Sequence, residues 1–214
     1  MRLLELISWN QARPFVDQAA EELCKEFDIG GGIEHDYNMN FWENHHDDLI
    51  QLGYDDFYDI DDAISKHEEL KQQYDQGKKN YCWNKADDAF YKIKSNIGSD
   101  VENIVLTREI TAPDGWIDNL GRQPLGIYWS FDGGEHQWGK TDHPHRIMMT
   151  INASLDAIDW EASIYQNAHA AYEDENEVRL LTGSKVELIG LQQNTDHQGY
   201  VDVDSPHVPS VQVI

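Results

Sequence analysis

The spacing of apolar residues changes near residue 98, and this change constrains the fold more than any other feature of the chain. Before it, apolar residues recur at the three- and four-residue intervals of an amphipathic helix. After it, short runs rich in β-branched and aromatic residues predict strands. The sequence therefore predicts an α+β protein, with an acidic helical N-terminal segment over residues 1–98 and a mainly β domain over residues 99–214.

Helical signals run through most of the first segment. The predicted helices cover residues 11–27, 61–76 and 84–96, with short helices between the first two. The glycines at 30–32 are expected to end the first helix. Three apolar residues of the intervening stretch are expected to share a buried stripe: Leu49, Leu52 and Phe57.

Strand signals dominate the second segment. The candidates are NIVLTREI (103–110), PLGIYWSF (124–131), RIMMTINASL (146–155) and two strands within NEVRLLTGSKVELIGLQ (176–192) around a Thr-Gly-Ser turn. YVDVD (200–204) is a further edge-strand candidate, and the prolines at 206 and 209 favour an extended tail.

The chain is strongly acidic, with 40 acids against 16 bases and a net charge of −24. Such a chain is repelled by nucleic-acid phosphates and by anionic lipid, so direct binding to nucleic acid or a membrane is not expected. Residues 26–65 hold twelve acids and no Lys or Arg, interleaved with aromatic residues. We expect a folded helical segment that presents its acids outward, either for solubility alone or to recruit a basic partner protein.

The chain shows the features of a cytoplasmic protein. No apolar run has the length of a bilayer span. The first apolar patch, in MRLLELISWNQ, is too short and too acidic for a secretory signal. Cys24 and Cys82 have no CxxC spacing, which fits a reducing compartment.

Three polar pieces of the second segment follow one another in a distinctive order. Arg108 lies inside the strand candidate LTREI, and Ser130 ends the aromatic run Gly-Ile-Tyr-Trp-Ser. Glu175 and Glu177 form an E-x-E pair that opens the next apolar run. Each piece alone is common, but the three together, each beside a strand, define a candidate site.

This order resembles the arginine, serine, glutamate signature of one clade of NAD-dependent mono-ADP-ribosyltransferases, most of all the small bacteriophage-type or bacterial members. The resemblance covers roughly 95 residues of the β domain. It implies two packed β-sheets with a cleft for NAD as substrate. It also implies that Arg108 grips NAD, Ser130 positions the nicotinamide ribose, and Glu177 is the catalytic glutamate. The preceding Glu175 points to arginine as the acceptor.

Elementary chemistry agrees with those roles. NAD carries a diphosphate, and a guanidinium offers it a planar fork of donors. Breaking the nicotinamide–ribose bond builds positive charge on the ribose, which a fixed carboxylate stabilises in the transition state. Glu175 and Glu177 are two apart, so on a strand both would face one side. One can then bind the ribose while the other orients a cationic guanidinium nucleophile.

The sequence departs from the family in its middle motif, where Tyr128-Trp129-Ser130 replaces the usual Ser-Thr-Ser. Tyr128 or Trp129 can therefore stack on nicotinamide instead, and the register of Ser130 stays open. Glu173-x-Glu175 is a competing frame for the acidic pair. Without the family resemblance, Arg108 is also interpretable as a surface ion pair, Ser130 as a strand-end hydroxyl and the glutamates as a solvated face.

Other chemical signals are weaker. His45-His46 and His143-Pro144-His145 lie in polar stretches away from cysteine, so no metal site is expected. No phosphate-binding glycine loop or serine-hydrolase motif is present in the sequence. The alternative to a transferase is an acidic, non-enzymatic protein, a nucleic-acid mimic or degenerate transferase, that blocks the groove of a basic partner. With either function we expect the protein itself in the cytoplasm, or in the host cytoplasm if it is encoded by a phage.

Overall fold

The computed structural model of the chain describes residues 8–97, 103–120, 125–131, 145–169, 175–194 and 211–213. These residues form two compact units. The helical unit consists of Trp9–Tyr91 and residues 164–169, and the sheet unit consists mainly of the described residues within 92–163 and from 175 onward. Helices and an antiparallel sheet are both present, which confirms the predicted α+β class at that level.

Five α-helices lie in the described part of the chain. They are α1 (Trp9–Asp28), α2 (Gly32–Gln51), α3 (Ile60–Lys66), α4 (Glu68–Ile97) and α5 (Trp160–Ala168). The predicted stop after α1 is confirmed, and Gly30 makes the turn with a φ of 77°. The acidic stretch forms the long α2 in place of several short helices, and only its last part, at 57–59 and in α3, is made of short ones. Helix α2 ends before Leu52, so the predicted buried stripe is wrong at Leu52, which is exposed.

A cluster of aromatic rings forms the centre of the helical unit. The buried ring of Tyr37 lies 5.1–6.0 Å, between ring centroids, from four others: Phe27, Phe41, Tyr74 and Tyr81. Its hydroxyl donates a hydrogen bond of 2.9 Å to the carbonyl of Tyr74. Burial raises the pKa of Tyr37 to about 12, so the hydroxyl stays a donor at neutral pH.

One close helix contact involves a glycine inside α4. The sequence predicted two helices, at 61–76 and 84–96, and the break between them contains Gly77. In the structure Gly77 lies inside α4, and a side chain there would overlap the hydroxyl of Tyr37 and approach its Cζ to 3.3 Å. Gly77 therefore lets the Tyr37 ring approach the helix backbone, and it does not end the helix.

A buried polar cluster also joins α1 to α5 within the helical unit. The carboxylate of Glu26 accepts a 2.7 Å hydrogen bond from Tyr165 Oη and lies 2.5 Å from Nε2 of the buried His169. Because buried polar groups need partners, this cluster satisfies three side chains at once.

The acidic stretch presents most of its charge to solvent, as predicted. Of its twelve acids, four are partly buried and eight are exposed. The exposed residues are Asp28, Glu43, Asp47, Asp48, Asp55, Asp56, Asp61 and Asp62. Local ion pairs engage only a few of them, such as Asp28 with Lys78 and Asp62 with Lys66.

The sheet unit contains a six-stranded antiparallel sheet. Its strands are β1 (Asn103–Ala112), β2 (Tyr128–Ser130), β3 (His145–Ser154), β4 (Glu177–Arg179), β5 (Val186–Asn194) and β6 (Val211–Val213). Their order across the sheet is β4-β2-β1-β3-β5-β6. The strands predicted at 103–110 and 146–155 are confirmed as β1 and β3, whereas the candidate at 124–131 shortens to three residues.

The two strands predicted around Thr182–Ser184 also exist, but they do not pair with each other. β4 and β5 lie on opposite sides of the β2-β1-β3 core of the sheet. The connecting turn, with Gly183 at a φ of 85°, therefore crosses the sheet and does not close a hairpin. The strand predicted at 200–204 and the prolines of the tail lie outside the described residues.

The two faces of the sheet differ in polarity. Ile104 and Leu106 of β1 share one face with Met149 and Ile151 of β3, and all four are buried. The alternate residues of these strands, including Thr107 and Glu109, are mostly polar and half-buried. We call these the apolar face and the polar face. Among the described helices none is long and apolar enough to cross a membrane.

Gly77→Ala tests the close contact between α2 and α4. Helix propensity alone predicts that Ala stabilises the helix by about 1 kcal/mol. We expect net destabilisation instead, because overpacking against a buried ring costs about 1–3 kcal/mol. Urea unfolding followed by circular dichroism measures the sign. Tyr37→Phe removes the overlapping hydroxyl, so the cost of Gly77→Ala should fall in that background, and an equal cost in both backgrounds would contradict the contact.

Candidate active site

The strands that carry the predicted site residues are neighbours in the sheet. β4, β2 and β1 lie side by side, with Ser130 opposite Thr107 on β1 and opposite Glu177 on β4. Residues directly opposite in antiparallel strands point to the same side. Ser130 and Glu177 therefore lie together on the polar face, although 47 positions separate them in the sequence (177 − 130).

The E-x-E pair is not a continuous strand. β4 begins at Glu177, and Asn176 before it has a left-handed φ of 50°, which asparagine tolerates better than most residues. The Ser130 hydroxyl donates to the Glu175 carbonyl at 3.4 Å, and the Phe131 amide donates to the Asn176 carbonyl at 3.2 Å. Because of this turn, Glu175 is not part of β4, and its side chain does not follow the alternation of side chains between the two faces of the sheet. The expectation that strand alternation directs both carboxylates to one face is therefore wrong. The competing residue Glu173 lies outside the described residues.

Glu177 has a perturbed acidity. Burial is the main cause that raises its pKa to about 7, and the nearby Glu175 carboxylate raises it further. The cations of Arg108 and Arg179 act in the opposite direction. A carboxyl group that titrates near neutral pH is suited to proton transfer and is a common feature of active sites.

Tyr128 and Arg179 extend the polar face beside Glu177. They are directly opposite in β2 and β4, and Arg179 Cζ lies 5.9 Å from the centroid of the exposed Tyr128 ring. Asp159 Oδ2 lies 3.6 Å from Arg179 Nε, which adds a charge partner. Arg179 was not identified in the sequence, because a lone basic residue inside a strand carries no signal of its own.

The outer edge of β4 is held by the segment that leads into α5. The Arg179 amide donates to Ser163 Oγ at 2.9 Å, and the Leu181 amide donates to the Ala157 carbonyl at 2.8 Å. The Asp159 amide in turn donates to the Arg179 carbonyl at 2.9 Å. These bonds fix a strand of only three residues, and they fix Glu177 with it.

Trp129 lies on the opposite face from Ser130. It is buried, it pairs with the buried Val178, and its indole N–H donates to the Gly126 carbonyl at 3.1 Å. Of the two aromatic residues predicted to stack on a ligand, Tyr128 is therefore the exposed one and Trp129 is part of the core.

Arg108 also starts from the apolar face, since it follows Thr107 on β1 and pairs with the buried Met149 on β3. Its half-buried guanidinium lies against the backbone of Gly126, which has a φ of 86°. Burial lowers the pKa of Arg108 and the charge of Glu177 raises it, so the two side chains interact electrostatically. The strand register thus places Arg108 on the opposite face of the sheet from Ser130, although the guanidinium interacts electrostatically with Glu177.

Two further residues complete the polar face and were not identified in the sequence. Glu109 and Arg146 form an ion pair between β1 and β3, with the Glu109 side chain only 6% exposed. The pair lies on the same face as Thr107. The guanidinium of Arg146 stabilises the buried carboxylate of Glu109. The ion pair thus links β1 and β3 on the same face as the Ser130–Glu177 site.

The other candidates from the sequence do not form a chemical site in the described residues. No group of three or more His, Cys, Asp or Glu residues there is arranged to hold a metal ion. His145 pairs with Asp114 at 2.6 Å. Cys24 and the buried Cys82 are free cysteines close enough in the helical unit to affect each other, since Cys82 lowers the pKa of Cys24 and Cys24 raises that of Cys82.

Comparisons with known proteins do not add a relationship. The chain matches no protein-family model, and no curated protein or solved structure is significantly similar to it.

The raised pKa of Glu177 predicts a pH-dependent stability difference. The folded-state value, about 7, exceeds the ordinary value of 4.5, so stability is lost as pH rises between those values. Glu177→Gln keeps the uncharged form, so it should match the wild type near pH 4 and be more stable at pH 8. Thermal unfolding at a series of pH values measures this difference. Thr107→Val, which removes no titratable group, should show a difference from wild type that does not change with pH, and a flat curve for Glu177→Gln would refute the shift.

Proposed function

We propose that the sheet unit is a mono-ADP-ribosyltransferase that moves ADP-ribose from NAD to an arginine of a protein and releases nicotinamide. The supporting observation is the cross-strand pairing of Ser130 with Glu177, next to the strand that carries Arg108. The order of the arginine strand, the serine strand and the glutamate strand agrees with the family signature. The family's two-sheet core with an NAD cleft is part of this proposal.

Glu177 is the proposed catalytic residue. The bond between the ribose C1′ and the nicotinamide nitrogen breaks, and its electron pair leaves with nicotinamide. Positive charge then develops on the ribose, and an ionised Glu177 would stabilise it more in the transition state than in bound NAD. Because its pKa is about 7, activity should increase as pH rises through neutrality.

Glu175 is proposed to orient the acceptor. An arginine nitrogen of the target protein would form the new bond to C1′ and lose one proton to the Glu175 carboxylate. Glu175 lies close enough to Glu177 to raise its pKa, so the two carboxylates together make a strongly anionic point that attracts a guanidinium. The left-handed turn at Asn176 gives Glu175 a direction that the alternation of β4 does not fix.

The remaining site residues are proposed to hold NAD. Ser130 would position the nicotinamide ribose beside Glu177, and the exposed Tyr128 ring would stack on nicotinamide. Arg108 would bind the diphosphate through its guanidinium, which interacts electrostatically with Glu177 although its strand position is on the opposite face from Ser130. One of its nitrogens, Nη1, is buried and has no hydrogen-bond partner in the described part of the chain, and buried donors ordinarily have one.

The acidic helical unit is proposed to recruit a basic target protein. Its exposed acids on α2 and α3 and in the turn between them are mostly without local cations. Surface attraction of this kind raises association rates more than final affinity. The same surface supports the second candidate function, a non-enzymatic acidic protein that blocks a basic partner.

Glu177→Gln separates the two functions. With labelled NAD and a cell extract, the wild type should transfer label to protein. The substitution should lower kcat by about 10²-fold or more, the usual scale for one preorganised electrostatic group, with little change in NAD affinity. Glu187→Gln, on the polar face two strands beyond β1, should keep activity. No labelled protein and no NAD binding in the wild type would favour the non-enzymatic function.

Glu175→Gln tests the role of the second carboxylate. It should abolish transfer to arginine but leave NAD hydrolysis measurable, because water does not need a carboxylate to orient a guanidinium. Released nicotinamide and labelled protein are measured in the same reaction. Equal loss of both products would mean that Glu175 only maintains the turn before β4.

A further inference from the structure

The contact between Gly126 and Arg108 is unusually close. An added side chain at Gly126 would overlap Nη1 of Arg108 and come within 2.7 Å of its Cζ and 3.0 Å of its Nη2. The guanidinium therefore occupies the space that a Cβ would fill. Gly126 also has a φ of 86°, which residues with a side chain adopt only with strain.

Trp129 holds the glycine in this place. Its indole N–H donates to the Gly126 carbonyl at 3.1 Å, and the ring itself is buried. The Leu180 amide donates to the carbonyl of the next residue, Ile127, at 2.8 Å, which ties the same turn to the end of β4. The turn is therefore fixed from two sides while the guanidinium lies against it.

The electrostatic setting of Arg108 points to an anion. Burial disfavours its charge and the carboxylate of Glu177 favours it, while the guanidinium itself packs against Gly126. Its Nη1 has no hydrogen-bond partner among the described residues. Burying a cation is costly, and an anion bound to another nitrogen of the guanidinium would offset that cost.

We propose that Gly126, fixed by Trp129, is a positioning residue that presents the Arg108 guanidinium to an anionic diphosphate. This inference rests on the proposed function for the identity of the ligand, NAD. The position requires glycine because any side chain would push the guanidinium away from the orientation that the turn imposes. In the sequence, Gly126 is only one residue of the strand candidate at 124–131.

The test compares two glycines with the same backbone strain. Gly126 and Gly183 have φ angles of 86° and 85°, but no atom lies within 4 Å of a Cβ added at Gly183. Gly126→Ala should weaken NAD binding about tenfold or more, within the range for loss of a charge-assisted contact. Gly183→Ala should leave the dissociation constant within about twofold of wild type, since surface changes away from such contacts have small effects. Isothermal titration calorimetry measures binding, and thermal unfolding confirms that both variants fold.

A double-mutant cycle shows whether Gly126 acts through Arg108. In an Arg108→Ala background, Gly126→Ala should weaken NAD binding by no more than about twofold, because the displaced group is already gone. An undiminished effect in that background, or wild-type affinity in Gly126→Ala alone, would overturn the inference.

The two proposals can fail separately. If the wild type does not bind NAD, the same cycle is run with inorganic pyrophosphate. Pyrophosphate binding that is lost in Gly126→Ala and in Arg108→Ala, but kept in Gly183→Ala, would support the diphosphate site and reject only the transferase. No binding of either ligand by the wild type would overturn both.

Discussion

The ten-residue ladder between β1 and β3 is the constraint on which the sheet unit depends. It pairs every residue from Asn103 with Ser154 to Ala112 with His145, without a shift. Side chains alternate along a strand, so a slip of one residue would exchange the two faces. The buried Leu106 and Ile151 on one side, and the Glu109–Arg146 ion pair on the other, make such a slip costly in both directions. Once this register is fixed, the faces of β2 and β4 follow from it.

The candidate site lies where this regular sheet becomes irregular. β2 and β4 have three residues each, Asn176 has a left-handed backbone, and Glu177 and Arg108 are ionisable groups partly removed from water. Each of these features opposes stability. The site is held in place by the long β1–β3 ladder and by the hydrogen bonds of Ser163 and Ala157 to the β4 segment. Strain and perturbed acidity concentrated at one place, against a regular background, are typical of functional sites.

The helical unit must bury a core although the chain has a net charge of −24. Its aromatic residues provide large buried surfaces around Tyr37, while the acids of α2 and α3 remain mostly in water. The few buried ionisable groups there have specific partners, as Glu26 has in Tyr165 and His169. Exposed like charges repel one another, so this surface would gain stability from counter-ions or from a basic partner.

The sequence by itself determined the elements with strong local signals. The α+β class, the end of α1 before Gly30, and the long strands β1 and β3 follow from periodicity, glycine and β-branched residues, all of which act over a few neighbouring positions. The tertiary structure alone decided what depends on distant partners. The sequence around Gly77 predicted a break between two helices, but Tyr37 packs against this glycine inside α4. The strands β4 and β5 are consecutive in the sequence, but three other strands separate them in the sheet. The pairing of Ser130 with Glu177 and the separation of Arg108 onto the other face were likewise decided by strand register, because register is set by contacts between residues far apart in the chain.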